Sequence, residues 1–127
     1  MNAPENLKYS KSHEWVQFLS DSSARVGITD FAQSQMGDIV YINLPLEGGQ
    51  AVKGESFTDI ESVKAVSDVF SPVTGDIARV NSELDSAPET MNSAPYEAWI
   101  AEIEGITDTE ELLDAAAYAA FCESEGH

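Results

Sequence analysis

Residues 61–68 read Glu-Ser-Val-Lys-Ala-Val-Ser-Asp and place one lysine, Lys64, between two segments with the composition of β-strands. The whole chain has only six cationic side chains, so a lysine at the tip of a predicted hairpin needs a reason beyond solubility. Asp59, Glu61 and Asp68 surround it in sequence and favour its ammonium form, whereas a nucleophilic lysine needs burial or cationic neighbours. The pattern therefore indicates that Lys64 is modified by a separate enzyme and is not itself a catalyst.

The length and composition predict a single folded domain over residues 1–127. A chain of 127 residues with 43% hydrophobic residues can bury one ordinary core. Its formal charge of −17 repels nucleic-acid phosphates and anionic membrane surfaces. We therefore expect no nucleic acid or membrane partner, and we expect macromolecular partners to present basic surfaces.

The acidic side chains are concentrated in the last third of the chain. After Arg79 there are twelve Asp and Glu residues and no Lys or Arg. Two explanations stay open: solubility or adaptation to a salty cytoplasm, and electrostatic steering toward basic partner enzymes.

The N-terminal sequence and the cysteine count predict a cytoplasmic protein. Residues 1–5 lack the features of a signal or transit peptide, and the lone Cys122 excludes an intramolecular disulfide. No apolar run approaches the roughly 20 residues that span a bilayer. We take Cys122 as a packing residue or a bystander near a helix end, and a monomer as the default state.

Short strand-like segments separated by turn residues predict a mainly β fold. A hairpin is expected from residues 15–19 and 24–28, followed by a two-turn helix that Asp30 caps and Gly37 ends. Such strands predict an antiparallel sandwich or flattened barrel. The remaining strands are expected at 38–44, 55–62, 65–71, 75–81 and 98–103.

A C-terminal helix is predicted over about residues 108–122, opened by a capping box of Thr107 and Glu110. One further helical turn fits residues 82–87. The apolar helix face that would pack on the sheet consists of Leu112, Leu113, Ala116, Ala117, Ala120 and Phe121. Aromatic side chains at strand positions are predicted to lie in the core, and these are Trp15, Tyr41, Phe57, Phe70 and Trp99.

The sequence carries no motif of an independent enzyme. His13 and His127 are the only histidines, and no zinc, phosphate-loop, dinucleotide or serine-hydrolase motif is present. We therefore predict a non-catalytic protein without a metal. His13 has two open roles: it locks the N-terminal segment beside the modified lysine, or it only caps a strand.

Many segments extend the pattern around Lys64 over nearly the whole chain. They include Tyr9, residues 12–16, 26–30, 32–33, 37–40, 44–45, 61–75 and 80–81, Leu84, residues 87–89, Asn92, residues 95–96, Trp99 and residues 112–113. Together they resemble the glycine cleavage system H protein family. Val63 and Ala65 separate the chain from biotin carriers, which place methionines there, and from lipoyl domains of 2-oxoacid dehydrogenases, which place Asp before the lysine.

The resemblance implies a flattened, hybrid-barrel β fold with short helices and lipoate in amide linkage to Lys64. Glu61, Gly75 and Gly48 match positions that help a lipoate ligase or a lipoyl/octanoyl transferase to recognise the family.

The resemblance also implies a shuttle among three enzymes. Glycine decarboxylase (P protein) loads an aminomethyl group, an aminomethyltransferase (T protein) removes it, and dihydrolipoamide dehydrogenase (L protein) reoxidises the dithiol. The amine of the loaded group is cationic near neutrality, so a polar acidic cleft would shelter it. Ser12, Glu14 and Asp68 match the lining of that cleft in the family, although the two acids also suit a solvated surface.

Two departures and two alternative functions stay open. Glu97 and Ala98 precede Trp99 where the family commonly has glycine, and the segment 57–59 is bulkier and more acidic than is usual. The chain could instead be a relay that donates lipoate to other lipoyl-dependent enzymes, or a structural module without lipoate.

Overall fold

The computed structural model describes residues 3–125. The two ends of the predicted domain, Met1 and His127, therefore lie outside the described residues. Within that range the chain forms nine strands and four helices. The strands are β1 Lys8–Tyr9, β2 Glu14–Ser20, β3 Ser23–Ile28, β4 Ile39–Asn43, β5 Gln50–Ala51, β6 Ser56–Ser62, β7 Val66–Phe70, β8 Val73–Val80 and β9 Ala101–Thr109. The helices are α1 Asp30–Met36, α2 Glu83–Ser86, α3 Thr90–Ser93 and α4 Ala115–Glu125.

The strands form two antiparallel sheets. The larger has the order β1-β2-β3-β9-β8-β5 and the smaller has the order β4-β6-β7. The mainly β antiparallel fold with short helices and a C-terminal helix is therefore confirmed. None of the helices within residues 3–125 has the length and apolar composition needed to cross a membrane.

The main core lies between the two sheets. Val26 and Ile103 of the large sheet and Ile42 and Ile60 of the small sheet belong to one buried apolar cluster. Burial of each such side chain contributes roughly 1.5–3 kcal/mol relative to its exposure to water. In the small sheet Ile42 and Ile60 are register partners and their side chains point into the core. The cross-strand pairs on either side of them point outward, because side chains alternate along a strand.

A second apolar cluster joins the start of the chain to α4. Tyr9 stacks on Tyr118 with ring centroids 4.6 Å apart, and both rings are fully buried. Trp15 donates from Nε1 to Pro95 O at 2.9 Å. Cys122 is buried in this cluster, which confirms its predicted packing role.

The predicted start of the C-terminal helix is wrong, because β9 continues to Thr109 and pairs with Val73 of β8. Leu113 then exchanges backbone hydrogen bonds with Tyr9, at 2.9 and 2.7 Å, so it cannot belong to a helix. The helix starts only at Ala115, where Asp114 accepts from Ala117 N at 2.8 Å in place of the predicted Thr107 cap. The late strand correspondingly covers Ala101–Thr109 and not residues 98–103.

Two smaller predictions also need correction. Thr29, not Asp30, is the N-cap of α1, because its side chain accepts from Ala32 N. Tyr41 was predicted to be in the core but is 49% exposed. The register slips between Ile39 and Tyr41, and this β-bulge leaves both Val40 and Tyr41 facing outward.

Candidate functional site

Lys64 lies at the tip of a hairpin formed by β6 and β7, which we call the lysine hairpin (residues 56–70). Ser62 closes the tip: its N–H donates to Ala65 O at 2.9 Å, and its Oγ accepts from the N–H groups of Lys64 and Ala65 at 3.3 Å. Lys64 is exposed, and the flanking Val63 and Val66 are 67% and 62% exposed. A tip of this kind presents the lysine amine to solvent.

The turn between α1 and β4 supports the hairpin tip. Val63 N donates to Asp38 O at 3.0 Å. Gly37 has φ 77° and ψ −157°, a combination that only glycine adopts without strain. A Cβ at Gly37 would lie 3.4 Å from Cε of Lys64, an ordinary van der Waals distance, so the stem of the lysine passes directly beside this turn.

A cleft of about 260 Å³ opens between the lysine hairpin, α1 and the segment before β2. It brings together three of the predicted site residues: Lys64, Ser12 and Asp68. The other lining residues are His13, Ala32, Gln35, Met36, Ser62, Ala65 and Ser67. The cleft thus has an apolar wall from α1 and a polar wall from residues 12–13 and β7.

Glu14 lies behind the cleft and is 2% exposed. Its Oε1 accepts from Ser10 Oγ at 2.6 Å and from Ser12 Oγ at 2.5 Å, and its Oε2 accepts from Phe70 N at 3.3 Å. Burial raises the pKa of Glu14 to about 7, against the opposing effect of these hydrogen bonds. The carboxyl group therefore holds its proton to a higher pH than an exposed glutamate does, and Ser12 connects it to the cleft.

His13 joins the segment before β2 to α4. Its Nδ1 lies 2.8 Å from Tyr118 Oη, and its Nε2 lies 2.7 Å from Glu125 Oε1. The imidazole also stacks on Phe31 at a centroid distance of 4.6 Å. Of the two roles left open for His13, this geometry matches the locking of the N-terminal segment.

The three predicted recognition residues lie in two places. Glu61 is exposed on β6, three residues from Lys64. Gly75 lies within β8 opposite Ala51 of β5, Gly48 donates its N–H to Ile77 O of β8 at 2.8 Å, and neither glycine lines the cleft. A Cβ at Gly75 would lie 2.7 Å from Glu104 O and from Ile103 Cγ2, so packing alone requires glycine at this position.

The sequence interpretation missed several residues that shape the site. Ser10 bonds Glu14, Ser62 builds the hairpin tip, and Gln35 and Met36 form a wall of the cleft. Ser62 carried a usable signal, because a serine between a strand and an expected tip is typical of a turn. Gln35 and Met36 at the end of α1 carried no such signal, because α1 and the lysine hairpin are far apart in sequence.

Comparisons with known proteins give one consistent result. The family model described as "Glycine cleavage H-protein" matches residues 7–125. The glycine cleavage system H protein of Lachnoclostridium phytofermentans is 53% identical over 98% of both chains. A probable glycine cleavage system H protein of Pyrococcus abyssi is 49% identical over 94% of this chain and 92% of its own. The crystal structure of a glycine cleavage system H protein from Mycobacterium marinum superposes with a TM-score of 0.86 at 34% identity, covering 98% and 99% of the two chains.

Proposed function

Because the chain belongs to the glycine cleavage H-protein family, we propose that it is the non-catalytic lipoyl carrier of a glycine cleavage system, with lipoate in amide linkage to Lys64. When bound, the lipoyl group supplies a redox-active disulfide that takes up the aminomethyl group of glycine. The partners are the glycine decarboxylase (P protein), the aminomethyltransferase (T protein) and dihydrolipoamide dehydrogenase (L protein). A lipoate ligase or a lipoyl/octanoyl transferase attaches the lipoyl group.

One observation carries this proposal: Lys64 is both exposed at a hairpin tip and part of the wall of a cleft. Exposure lets an acylating enzyme reach Nζ. The position on the cleft wall lets an attached chain fold back along the protein, where Ala32 and Met36 offer apolar contacts. The start of this path lies beside Gly37, close to Cε of Lys64. The residues present thus fit a long arm with an apolar body and a polar end.

Ser12 and Asp68 supply the polar contacts in the cleft. A carboxylate and a hydroxyl oxygen both accept hydrogen bonds from a cationic amine, and such charge-assisted bonds are the stronger kind. Lys64 is the one lysine or arginine among the residues that line this cleft. Formation of the amide removes its charge, so after modification the lysine no longer competes with a cationic amine for Asp68.

Glu14 contributes through Ser12. Because its Oε1 accepts from Ser12 Oγ, it fixes where the Ser12 hydroxyl points within the cleft. Its raised pKa lets it hold or release a proton near neutrality. We therefore assign Glu14 to the orientation of Ser12 and to proton balance, rather than to direct contact with the amine.

The surface around Lys64 suits enzymes that must approach it. Tyr41, Glu61 and Val66 are register partners across the small sheet, and all three side chains are exposed. A strip of one carboxylate between an aromatic and an aliphatic side chain fits a partner surface that is mostly apolar and carries a basic group. Glu61 lies in this strip, while Gly48 and Gly75 would act through the backbone shape of the β5 and β8 region.

Mass spectrometry after incubation with lipoate, ATP and a lipoate ligase tests the attachment site. The expected result is one lipoyl group on Lys64 and none on the Lys64→Arg variant, which keeps the positive charge. Modification of another lysine, or none beside an active ligase control, would contradict the proposal.

A second assay tests the pathway. The lipoylated chain is expected to stimulate glycine decarboxylation by a P protein, and Asp68→Asn is expected to weaken this stimulation without reducing lipoylation. A chain that is lipoylated but leaves the decarboxylase unaffected would instead indicate a lipoate relay.

A further inference from the structure

Asn92, on the single-turn helix α3, makes three hydrogen bonds with its carboxamide. Its Nδ2 donates to Gly37 O at 2.9 Å and to Gln33 Oε1 at 3.0 Å. Its Oδ1 accepts from Ile39 N at 2.9 Å. Both N–H groups of the amide are therefore used, together with one lone pair of its oxygen.

The two backbone partners of Asn92 lie on either side of Asp38. Gly37 precedes it and Ile39 follows it, so the carboxamide spans the peptide units that fix the orientation of this residue. Asp38 O in turn accepts from Val63 N at 3.0 Å. Val63 directly precedes Lys64, so a continuous path of hydrogen bonds runs from α3 through this turn to the lysine hairpin.

The turn that Asn92 holds also sets the width of the cleft. Gln35 and Met36 of α1 lie immediately before Gly37 and line one wall, whereas Ala65 and Asp68 of the lysine hairpin line the other. Gly37 has a positive φ, and glycine leaves such a turn freer to change conformation than another residue would. A side-chain clamp across it therefore restrains the two walls relative to each other.

We propose that Asn92 is a positioning residue for Lys64: its carboxamide fixes the turn at residues 37–39 and thereby holds the lysine hairpin at a set distance from α1. It touches neither Lys64 nor the cleft, since it is absent from the cleft lining. Its effect on modification and on shelter of the arm rests on the proposed function. Its effect on the hairpin does not, and it exists in the unmodified chain.

Hydrogen–deuterium exchange of the unmodified chain, measured residue by residue by NMR, tests the proposal. Asn92→Asp keeps the shape of the side chain but directs a carboxylate oxygen at the two acceptors, Gly37 O and Gln33 Oε1. The expected result is at least about tenfold faster exchange at the amide of Val63, relative to the core amides of Val26 and Ile103. Asn6→Asp, at an exposed turn residue before β1, adds the same charge away from the lysine hairpin and serves as the matched control.

Asn92→Ala is measured in parallel, because it removes the carboxamide without adding charge and remains informative if the Asp variant does not fold. Exchange at Val63 that rises no more than in the control, or that rises by the same factor at Val26 and Ile103, would overturn the proposal. Faster exchange at Val63 with normal lipoylation of Lys64 would keep the clamp and separate it from the carrier function. Failure of the wild-type chain to be lipoylated would remove the carrier function and leave the exchange result valid.

Discussion

Glu14 illustrates how one buried residue links stability to pH. Folding raises its pKa from 4.5 to about 7, so between these values the folded chain holds a proton that the unfolded chain has released. Stability from this group is complete below pH 4.5 and is lost as pH rises through 7. The penalty at alkaline pH is at most about 3 kcal/mol for a shift of this size.

We therefore predict that Glu14→Gln flattens the fall in stability between pH 5 and about pH 8. Urea unfolding at both pH values measures this difference. From pH 5 to about pH 8 the free energy of unfolding should fall more for the wild-type chain than for the variant. Glu61→Gln, an exposed carboxylate on β6, should follow the wild-type pH dependence. Parallel pH curves for wild type and Glu14→Gln would contradict a raised pKa at this site.

Gly37 gives a second prediction at the scale of one residue. Gly37→Ala should cost roughly 1–3 kcal/mol, because its φ and ψ lie in a region that is strained for alanine. The new Cβ would lie 3.4 Å from Lys64 Cε, an ordinary contact with a flexible side chain, so the rate of lipoylation should stay nearly unchanged. Gly54→Ala is the matched control, because Gly54 also has positive φ but a Cβ there meets no atom within 4 Å. Denaturant melts and ligase rates of both variants measure the two effects, and a ligase rate that falls only in Gly37→Ala would mean that the Cβ crowds the lysine.

At the scale of elements, Tyr118 fastens α4 to the site. Its Oη lies 2.6 Å from Thr29 Oγ1, the cap of α1, and 2.8 Å from His13 Nδ1 on the cleft wall. Tyr118→Phe leaves these buried partners without the hydroxyl, which costs about 1–3 kcal/mol. We expect a lower Tm by several degrees, whereas Tyr41→Phe, at an exposed ring, should leave Tm nearly unchanged. An unaltered Tm in Tyr118→Phe would mean that the Tyr118 hydroxyl adds nothing measurable to the attachment of α4.

The elements also show what sequence alone could predict. The first hairpin, α1, β4 and the two strands around Lys64 carry local patterns of turns and β-branched residues, so their expected positions agree with the structure within a few residues. The predicted boundary between β9 and α4 was wrong because Leu113 pairs with Tyr9. This partner is more than a hundred residues away, so no local sequence pattern indicates it. The same holds for the cleft: the local pattern supplied Lys64 and the family resemblance supplied Ser12 and Asp68, but the wall formed by the end of α1 depends on the contact between Val63 and Asp38.

At the scale of the whole molecule, net charge dominates. A charge of −17 on 127 residues produces self-repulsion that opposes the compact state, and the screening length falls from about 30 Å at 0.01 M salt to about 10 Å at 0.1 M. We predict that Tm rises as NaCl increases from 0.01 to about 0.3 M, while association with basic partners slows over the same range. Calorimetry and stopped-flow binding measure the two effects, with glycerol at matched osmolality as the uncharged control. Association rates that do not change with salt concentration would argue against electrostatic steering and leave solubility as the explanation of the acidic surface.

The burial of Cys122 has a consequence for the proposed attachment of lipoate, which carries a disulfide. Thiol–disulfide exchange requires a thiolate that can reach the sulfur it attacks. Cys122 is 3% exposed, and burial raises the pKa of its thiol, so the group is both shielded and protonated. The single cysteine of the sequence is therefore poorly placed to attack that disulfide, and a lipoyl group on Lys64 would cycle between its redox states without forming a mixed disulfide with its own carrier.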